Sequence, residues 1–152
     1  VIFCMPPGTE GSWVAYAYVN EFLSVYNDRW CSSPSANMHE MAHNLGLGHS
    51  SEGRDVYGDT SGMMGASYSN YDGPSMCFNG AKSWQLGWYA KAQTEVKPLK
   101  LTAPYQAFLY GIVDYENIIA PQNNVTNGVV VLKLNRVTTN FDYYLTYNLK
   151  KG

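Results

Sequence analysis

All three histidines of the chain fall in one short stretch, His39-Glu40-Met41-Ala42-His43-Asn44-Leu45-Gly46-Leu47-Gly48-His49. His39 and His43 are four residues apart, so on a helix both imidazoles leave one face and can share one ion. Glu40 lies beside them and is not needed as a ligand; its carboxylate can reach a water on that ion. His49 stands beyond His43 at a spacing that a continuing helix would stretch by about 9 Å, at about 1.5 Å per residue, and turn elsewhere. The helix must therefore stop and reverse. Gly46 sits where the reversal is needed, because glycine takes a positive φ without a Cβ clash. Three neutral imidazoles leave the fourth position of a tetrahedral zinc ion open, which is a catalytic rather than a structural arrangement. The competing reading is a helix with two packed histidines and a third in a loop. The joint agreement of the histidine, glutamate and glycine positions favours the metal, although affinity order alone does not choose zinc over copper.

These residues need elements to hold them. The spacing predicts a helix over 35–46, capped by Ser35, with Met38 and Met41 on its inner face and Leu45 and Leu47 anchoring its end. Before it, 1–5 reads as a short buried strand, 13–19 alternates small and large residues as a strand, and 22–26 reads as a third. The stretch from His49 to Tyr71 has neither helical nor strand periodicity and is rich in Gly, Ser, Asp and Tyr, the mark of a functional loop. Residues 79–86 read as a helix stopped by Gly87. From about residue 90 the texture becomes β-rich, with strands expected over 99–102, 106–115, 128–134 and 142–148, separated by prolines and the Asn127-Gly128 turn.

The 152 residues suit one domain, or one domain plus part of another. Hydrophobic residues make up 45%, enough for a core, while charged residues are only 14%. A net charge of −2 gives no reason to expect nucleic acid or an anionic membrane as partner. No apolar run approaches the ~18 residues of a membrane span. The chain opens on Val1 inside a strand-like run, which reads as a fragment lacking its N-terminus. Cysteines 4, 31 and 77 are an odd count. With low charge, many aromatics and the N-glycosylation sequon at Asn124, they point to an oxidising, extracellular setting. Cys31–Cys77 is the expected disulfide, tying the approach to the helix to the segment behind it, with Cys4 free or paired elsewhere.

The pattern H-E-x-x-H-x-x-G-x-x-H is that of the metzincin zinc proteases. Within them the chain resembles the gametolysin family, the algal cell-wall-lytic type. The resemblance rests on Trp30-Cys31, the run His39 to Ser50, Tyr57-Gly58-Asp59 with Met64-Gly65, and Cys77 leading into Trp84-Gln85-Leu86-Gly87-Trp88. It covers most of residues 1–90 and thins afterwards. It implies His39, His43 and His49 as ligands of one Zn2+ ion, Glu40 as the general base, and a methionine turn beneath the metal. Of Met63 and Met64, the family's following glycine selects Met64. Some metzincins carry a tyrosine two residues after that methionine; here the position is Ala66, with Tyr68 further on.

The fold class expected is α+β. Residues 1–89 would form a metzincin-like catalytic domain, a twisted sheet plus active-site helix with its N-terminus missing. Residues 90–152 would form a β-rich C-terminal region. The implied activity is secreted, zinc-dependent endopeptidase action on an extended peptide of extracellular-matrix or hydroxyproline-rich cell-wall glycoproteins, held along the 13–19 strand. The alternative is a non-catalytic, zinc-stabilised matrix-binding or adhesion module, which would have no use for Glu40.

Overall fold

The computed structural model describes residues 1–65, 76–123, 125–138 and 141–149. The chain is mixed α+β and divides into two compact units, Val1–Phe78 and Asn79–Gly152. That division falls before the helix of residues 79–86, not near residue 90 where the composition changes.

The first unit is built on a three-stranded sheet of β1 (Ile2–Cys4), β2 (Ala15–Ala17) and β3 (Ser24–Tyr26), in the order β1-β3-β2. β1 runs parallel to β3, and β2 runs antiparallel to it with Tyr16 opposite Val25. All three residues of β3 are buried, so the central strand is the core of this sheet. β2 is an edge strand. Its small-large-small sequence turns Tyr16 outward and leaves the two alanines half-buried. β1, expected to be buried, is exposed along its whole length, because helix α1 packs against β2 and β3 rather than over β1.

Helix α1 spans Pro34–Asn44, so it begins earlier and ends earlier than the spacing predicts. Ser33, not Ser35, caps it: the Ser33 hydroxyl accepts from the Ala36 N–H, and Pro34 fills the first helical position, where no N–H is needed. The helix ends in a Schellman motif. The Leu47 N–H donates to the Ala42 carbonyl (3.0 Å) and the Gly46 N–H to the His43 carbonyl (2.9 Å). Gly46 takes φ +89° there, as the spacing requires. Leu47 is fully buried and anchors the end of the helix as expected, but Leu45 is 59% exposed and does not, and Met41, 50% exposed, is not on the inner face. The β2–β3 hairpin grips the end of the helix. The Asn44 amide donates to the carbonyls of Tyr18 and Leu23 (3.1 and 3.0 Å), and the Asn20 N–H donates to the His43 carbonyl (2.8 Å).

The disulfide joins Cys4 to Cys31, not Cys31 to Cys77. Parallel pairing of β1 with β3 brings Cys4 opposite Tyr26, and the 3-10 turn Asp28–Ser32 that follows carries Cys31 back to it, with a Cα–Cα distance of 5.6 Å. Cys77 is a free, exposed thiol, and its carbonyl accepts from the Met63 N–H.

The second unit holds α2 (Gly80–Leu86), β4 (Gln93–Val96), β5 (Phe108–Leu109), α3 (Tyr115–Ile119), β6 (Gly128–Val129), β7 (Val131–Leu134) and β8 (Tyr143–Leu145). β4 and β7 pair in parallel, β7 and β8 antiparallel, and β5 pairs with β6. Asn79 caps α2 and Gly87, at φ +67°, ends it. Ala92, Ile118, Val130 and Val131 form the core, with Trp84, Tyr89 and Tyr144 packed on it. The region is less purely β than its pattern implies: residues 112–119 are helical, and 98–100 form a 3-10 turn rather than a strand.

Candidate metal centre

Three residues of α1 face inward at the site: His39, Glu40 and His43 are 1%, 3% and 7% exposed. The rings of His39 and His43 stand 4.9 Å apart, nearly perpendicular. The Schellman reversal then returns His49 to them, with its ring 4.7 Å from His43 and 5.3 Å from His39. One nitrogen from each ring lies within 4.8 Å of the others, so the three can hold a metal ion.

Backbone carbonyls set the nitrogen that each helical histidine presents. His39 Nδ1 lies 2.8 Å from the Met63 oxygen, and His43 Nδ1 lies 2.7 Å from the Leu47 oxygen. A carbonyl only accepts, so both Nδ1 atoms carry hydrogen and both Nε2 atoms present lone pairs. His43 Nε2 and His49 Nε2 are 3.1 Å apart. Tetrahedral coordination at about 2.0–2.1 Å sets donor atoms roughly 3.3 Å apart, so these nitrogens suit a shared cation. Burial is the main force holding His39 down to about 4; the Met63 hydrogen bond opposes it, and the other two imidazoles add to it. A neutral ring is the form a metal requires.

Burial pushes Glu40 up to about 7. Its Oε2 is buried with no hydrogen-bond partner among the described residues. Glu40 nevertheless borders an open cleft of about 510 Å³, lined also by the three histidines, Tyr57 and the β2 segment Val14, Ala15, Tyr16 and Ala17. The cleft therefore runs between the histidine face of α1 and the edge strand.

The long loop is tied beneath the site. Met63 and Met64 are both buried. Ser50 N–H donates to the Met64 carbonyl at 2.7 Å, and Asp59 N–H to the Ser50 carbonyl at 3.1 Å. Gly65 is wedged against this segment: a Cβ there would stand 1.7 Å from the Asp59 oxygen and 3.1 Å from that of Tyr57. The edge strand along the cleft is the one expected over 13–19. The Met63 carbonyl and the cleft-lining role of Tyr57 escaped the sequence reading, because a carbonyl partner and a ring set beside a histidine leave no spacing signal. Ala66, Tyr68 and the sequon residue Asn124 lie outside the described residues.

Fold and site together define a mixed α+β protein with a three-histidine group able to hold a metal ion at an open cleft. The chain belongs to the Gametolysin peptidase M11 family, whose pattern matches residues 1–149. It is similar to Autolysin of Chlamydomonas reinhardtii, at 31% identity over 57% of this chain and 14% of that protein. The chain thus corresponds to a small part of that relative's length. No solved structure matches it. No helix among the described residues is long and apolar enough to cross a membrane.

Proposed function

We propose that the chain is a zinc-dependent endopeptidase of the metzincin type. The observation that carries this reading is the convergence of three imidazole nitrogens beside a buried glutamate on a cleft walled by an edge strand. His39, His43 and His49 would hold the ion, which when bound supplies Lewis-acid chemistry, lowering the pKa of water and polarising a carbonyl. Glu40 takes the proton of the attacking water and returns it to the leaving amine. Its place beside the histidines, on the open cleft, is what lets one carboxylate make both transfers. The free edge of β2 offers backbone groups to pair with an extended peptide along the cleft. Met64 is the turn methionine: it is buried, Gly65 follows it, and its carbonyl accepts from Ser50, the neighbour of His49.

The substrate class we infer is extracellular: matrix or hydroxyproline-rich cell-wall glycoproteins. Membership of the gametolysin family and likeness to a protein named autolysin support it, and the Cys4–Cys31 disulfide fits an oxidising compartment. A non-catalytic matrix-binding module is the weaker reading, because it gives no reason to bury an unpaired carboxylate at the cleft. The test is digestion of gelatin and of a hydroxyproline-rich wall extract with zinc-loaded, chelated and zinc-restored protein. Cleavage that disappears with the chelator and returns with zinc is expected; zinc binding with no cleavage of either material would favour the binding module.

A further inference from the structure

Addition of water to a peptide carbonyl moves the C=O π pair onto oxygen, and donors aimed at that oxygen lower the barrier. Glu40 accepts a proton at this step and cannot serve. The Nδ1–H groups of His39 and His43 are committed to the Met63 and Leu47 carbonyls. Two phenols remain in the cleft lining, Tyr16 and Tyr57. Tyr16 lies on β2, where its ring packs with Trp13 and Tyr18 at 5.8 and 6.0 Å. Tyr57 stands over the histidines instead, its ring centroid 4.2 Å from that of His49 and 6.1 Å from that of His39. Among the described residues its hydrogen bond is made by the backbone N–H, to Asp55 Oδ1 at 2.9 Å, and its hydroxyl is left available.

Tyr57 is also fixed in place. Glu52 and Asp55 exchange backbone hydrogen bonds at 3.0 Å, and the Gly58 N–H donates to the Asp55 carbonyl at 3.2 Å. Gly58 leaves no room for a side chain, since a Cβ would come 2.9 Å from Glu52 Cβ. Two residues on, Asp59 is tied to Ser50, the neighbour of His49. A ring held this way meets the positional demand that an oxyanion donor makes.

We propose that Tyr57 is a catalytic residue: its phenol O–H donates a hydrogen bond to the scissile carbonyl oxygen as that oxygen becomes the oxyanion. The phenol keeps its proton throughout. The O–C bond forms from the attacking water, whose proton goes to Glu40. The C–N bond then breaks as Glu40 gives that proton to the amine, and the oxygen's electron pair re-forms the carbonyl. This inference rests on the peptidase reading above.

The test compares zinc-loaded wild type, Tyr57→Phe and Tyr16→Phe on an internally quenched peptide built from a gelatin cleavage site. Tyr57→Phe keeps the ring on His49 and removes only the hydroxyl. The expected result is a fall in kcat of about a hundredfold with KM within about twofold, and zinc content unchanged. A readout independent of turnover is calorimetric affinity for a phosphinic pseudopeptide, a tetrahedral anion. Its binding should weaken by a similar factor in Tyr57→Phe, while binding of acetohydroxamate, a small chelator, stays the same. Tyr16→Phe should change neither quantity appreciably. The same losses in Tyr16→Phe, with wild-type behaviour in Tyr57→Phe, would overturn the assignment in favour of Tyr16. A Tyr57→Phe enzyme with wild-type kcat and wild-type phosphinate affinity overturns the assignment, and so does one that loses zinc, since the hydroxyl would then serve the metal site. A wild-type chain that binds zinc yet cleaves nothing removes the peptidase reading, and this inference with it.

Discussion

His39 Nδ1 lies 2.8 Å from the carbonyl oxygen of Met63, a residue far along the chain in the loop beyond His49. That contact fixes the ring's tautomer and aims Nε2 at the cleft. His43 is fixed in the same way by the carbonyl of Leu47, in the turn that ends its own helix. Two of the three clustered imidazoles are therefore set by the backbone of two different turns. Each turn depends on a glycine, Gly46 in one and Gly65 in the other.

The two glycines should fail differently. Gly65→Ala puts a methyl group 1.7 Å from a backbone oxygen that cannot swing aside. We expect a stability loss of about 3 kcal/mol or more, with zinc affinity lost as the Met63 carbonyl moves. At Gly46 the nearest atom to an added Cβ is Asn20 Oδ1 at 3.8 Å, so only the φ of +89° resists substitution. Gly46→Ala should cost about 1 kcal/mol and leave most of the zinc affinity. Thermal melts and zinc titrations of the two variants check this; equal losses would mean that the Met63 turn does not support His39.

Glu40→Gln separates chemistry from metal binding. The variant should hold zinc as wild type does and lose about 10²–10⁴ in kcat, the contribution typical of a general acid–base group. It should also reshape the pH dependence of stability in the metal-free protein. Burial raises Glu40 from its ordinary 4.5 to about 7 in the fold, so the native state keeps a proton that the unfolded chain releases. That contribution to stability is complete below 4.5 and is lost as pH rises through 7. The glutamine variant has no such loss. Denaturant melts of chelated protein should show it gaining on wild type with rising pH, by on the order of 2–3 kcal/mol by pH 8. A pH-independent difference would mean that Glu40 is not buried as described.

Much of the site was legible because metal chemistry constrains residue types and spacing together. The helical pair, the stop at Gly46 and the return of His49 all follow from the geometry of one turn of helix. The pairing of cysteines was not legible, since it depends on β1 lying parallel to β3, a long-range choice absent from local pattern. Strand β4 was missed because Gln93-Thr94-Glu95-Val96 is polar and half-exposed at the edge of its sheet. It is held by pairing with β7 rather than by an apolar face of its own. Residues 106–115 read as strand because they alternate or run apolar, yet from Ile112 the chain turns into a 3-10 turn and then a short helix that buries Ile118. Met41 and Leu45 were assigned inward by residue type, whereas the helix phase set by His39 and His43 turns them out.

The Cys4–Cys31 bond closes a loop containing all of β2 and β3. Cys4→Ser or Cys31→Ser should each lower stability by about 2–4 kcal/mol, the usual range for a native disulfide. Cys77→Ser should do little, because its thiol is free and exposed. Peptide mapping under non-reducing conditions should recover a fragment joining residues 4 and 31. A fragment joining 31 and 77 would reverse this assignment.

Lys133 is the electrostatic hub of the second unit. Its ammonium lies 3.0 Å from Asp142, 3.4 Å from Glu95 and 5.7 Å from the Trp84 ring centroid. Register places Glu95 directly opposite Lys133 on neighbouring strands, so the pair bridges β4 and β7, while Asp142 stands just before β8. The hydrogen bond to Asp142 is the main reason Lys133 is raised above its ordinary 10.5; desolvation opposes it, and the charges of Tyr144, Asp142 and Glu95 add to it. Desolvation pushes Glu95 up, but the Asn135 amide, Lys133 and Lys97 outweigh it and hold the carboxyl below its ordinary 4.5. The signs of the two shifts define a window. The Glu95 contribution is present above 4.5 and is lost as pH falls through its lower folded value. The Lys133 contribution is present below 10.5 and is lost as pH rises through its higher folded value. Lys133→Met keeps the stem that packs near Trp84 and removes only the charge. It should lower the melting midpoint by a few degrees near pH 7, and the gap from wild type should narrow toward both acid and alkaline extremes. Because these groups are partly exposed, about 0.5 M salt should also narrow it. A gap that ignores both pH and salt would assign the role of Lys133 to packing against Trp84 and not to its charge.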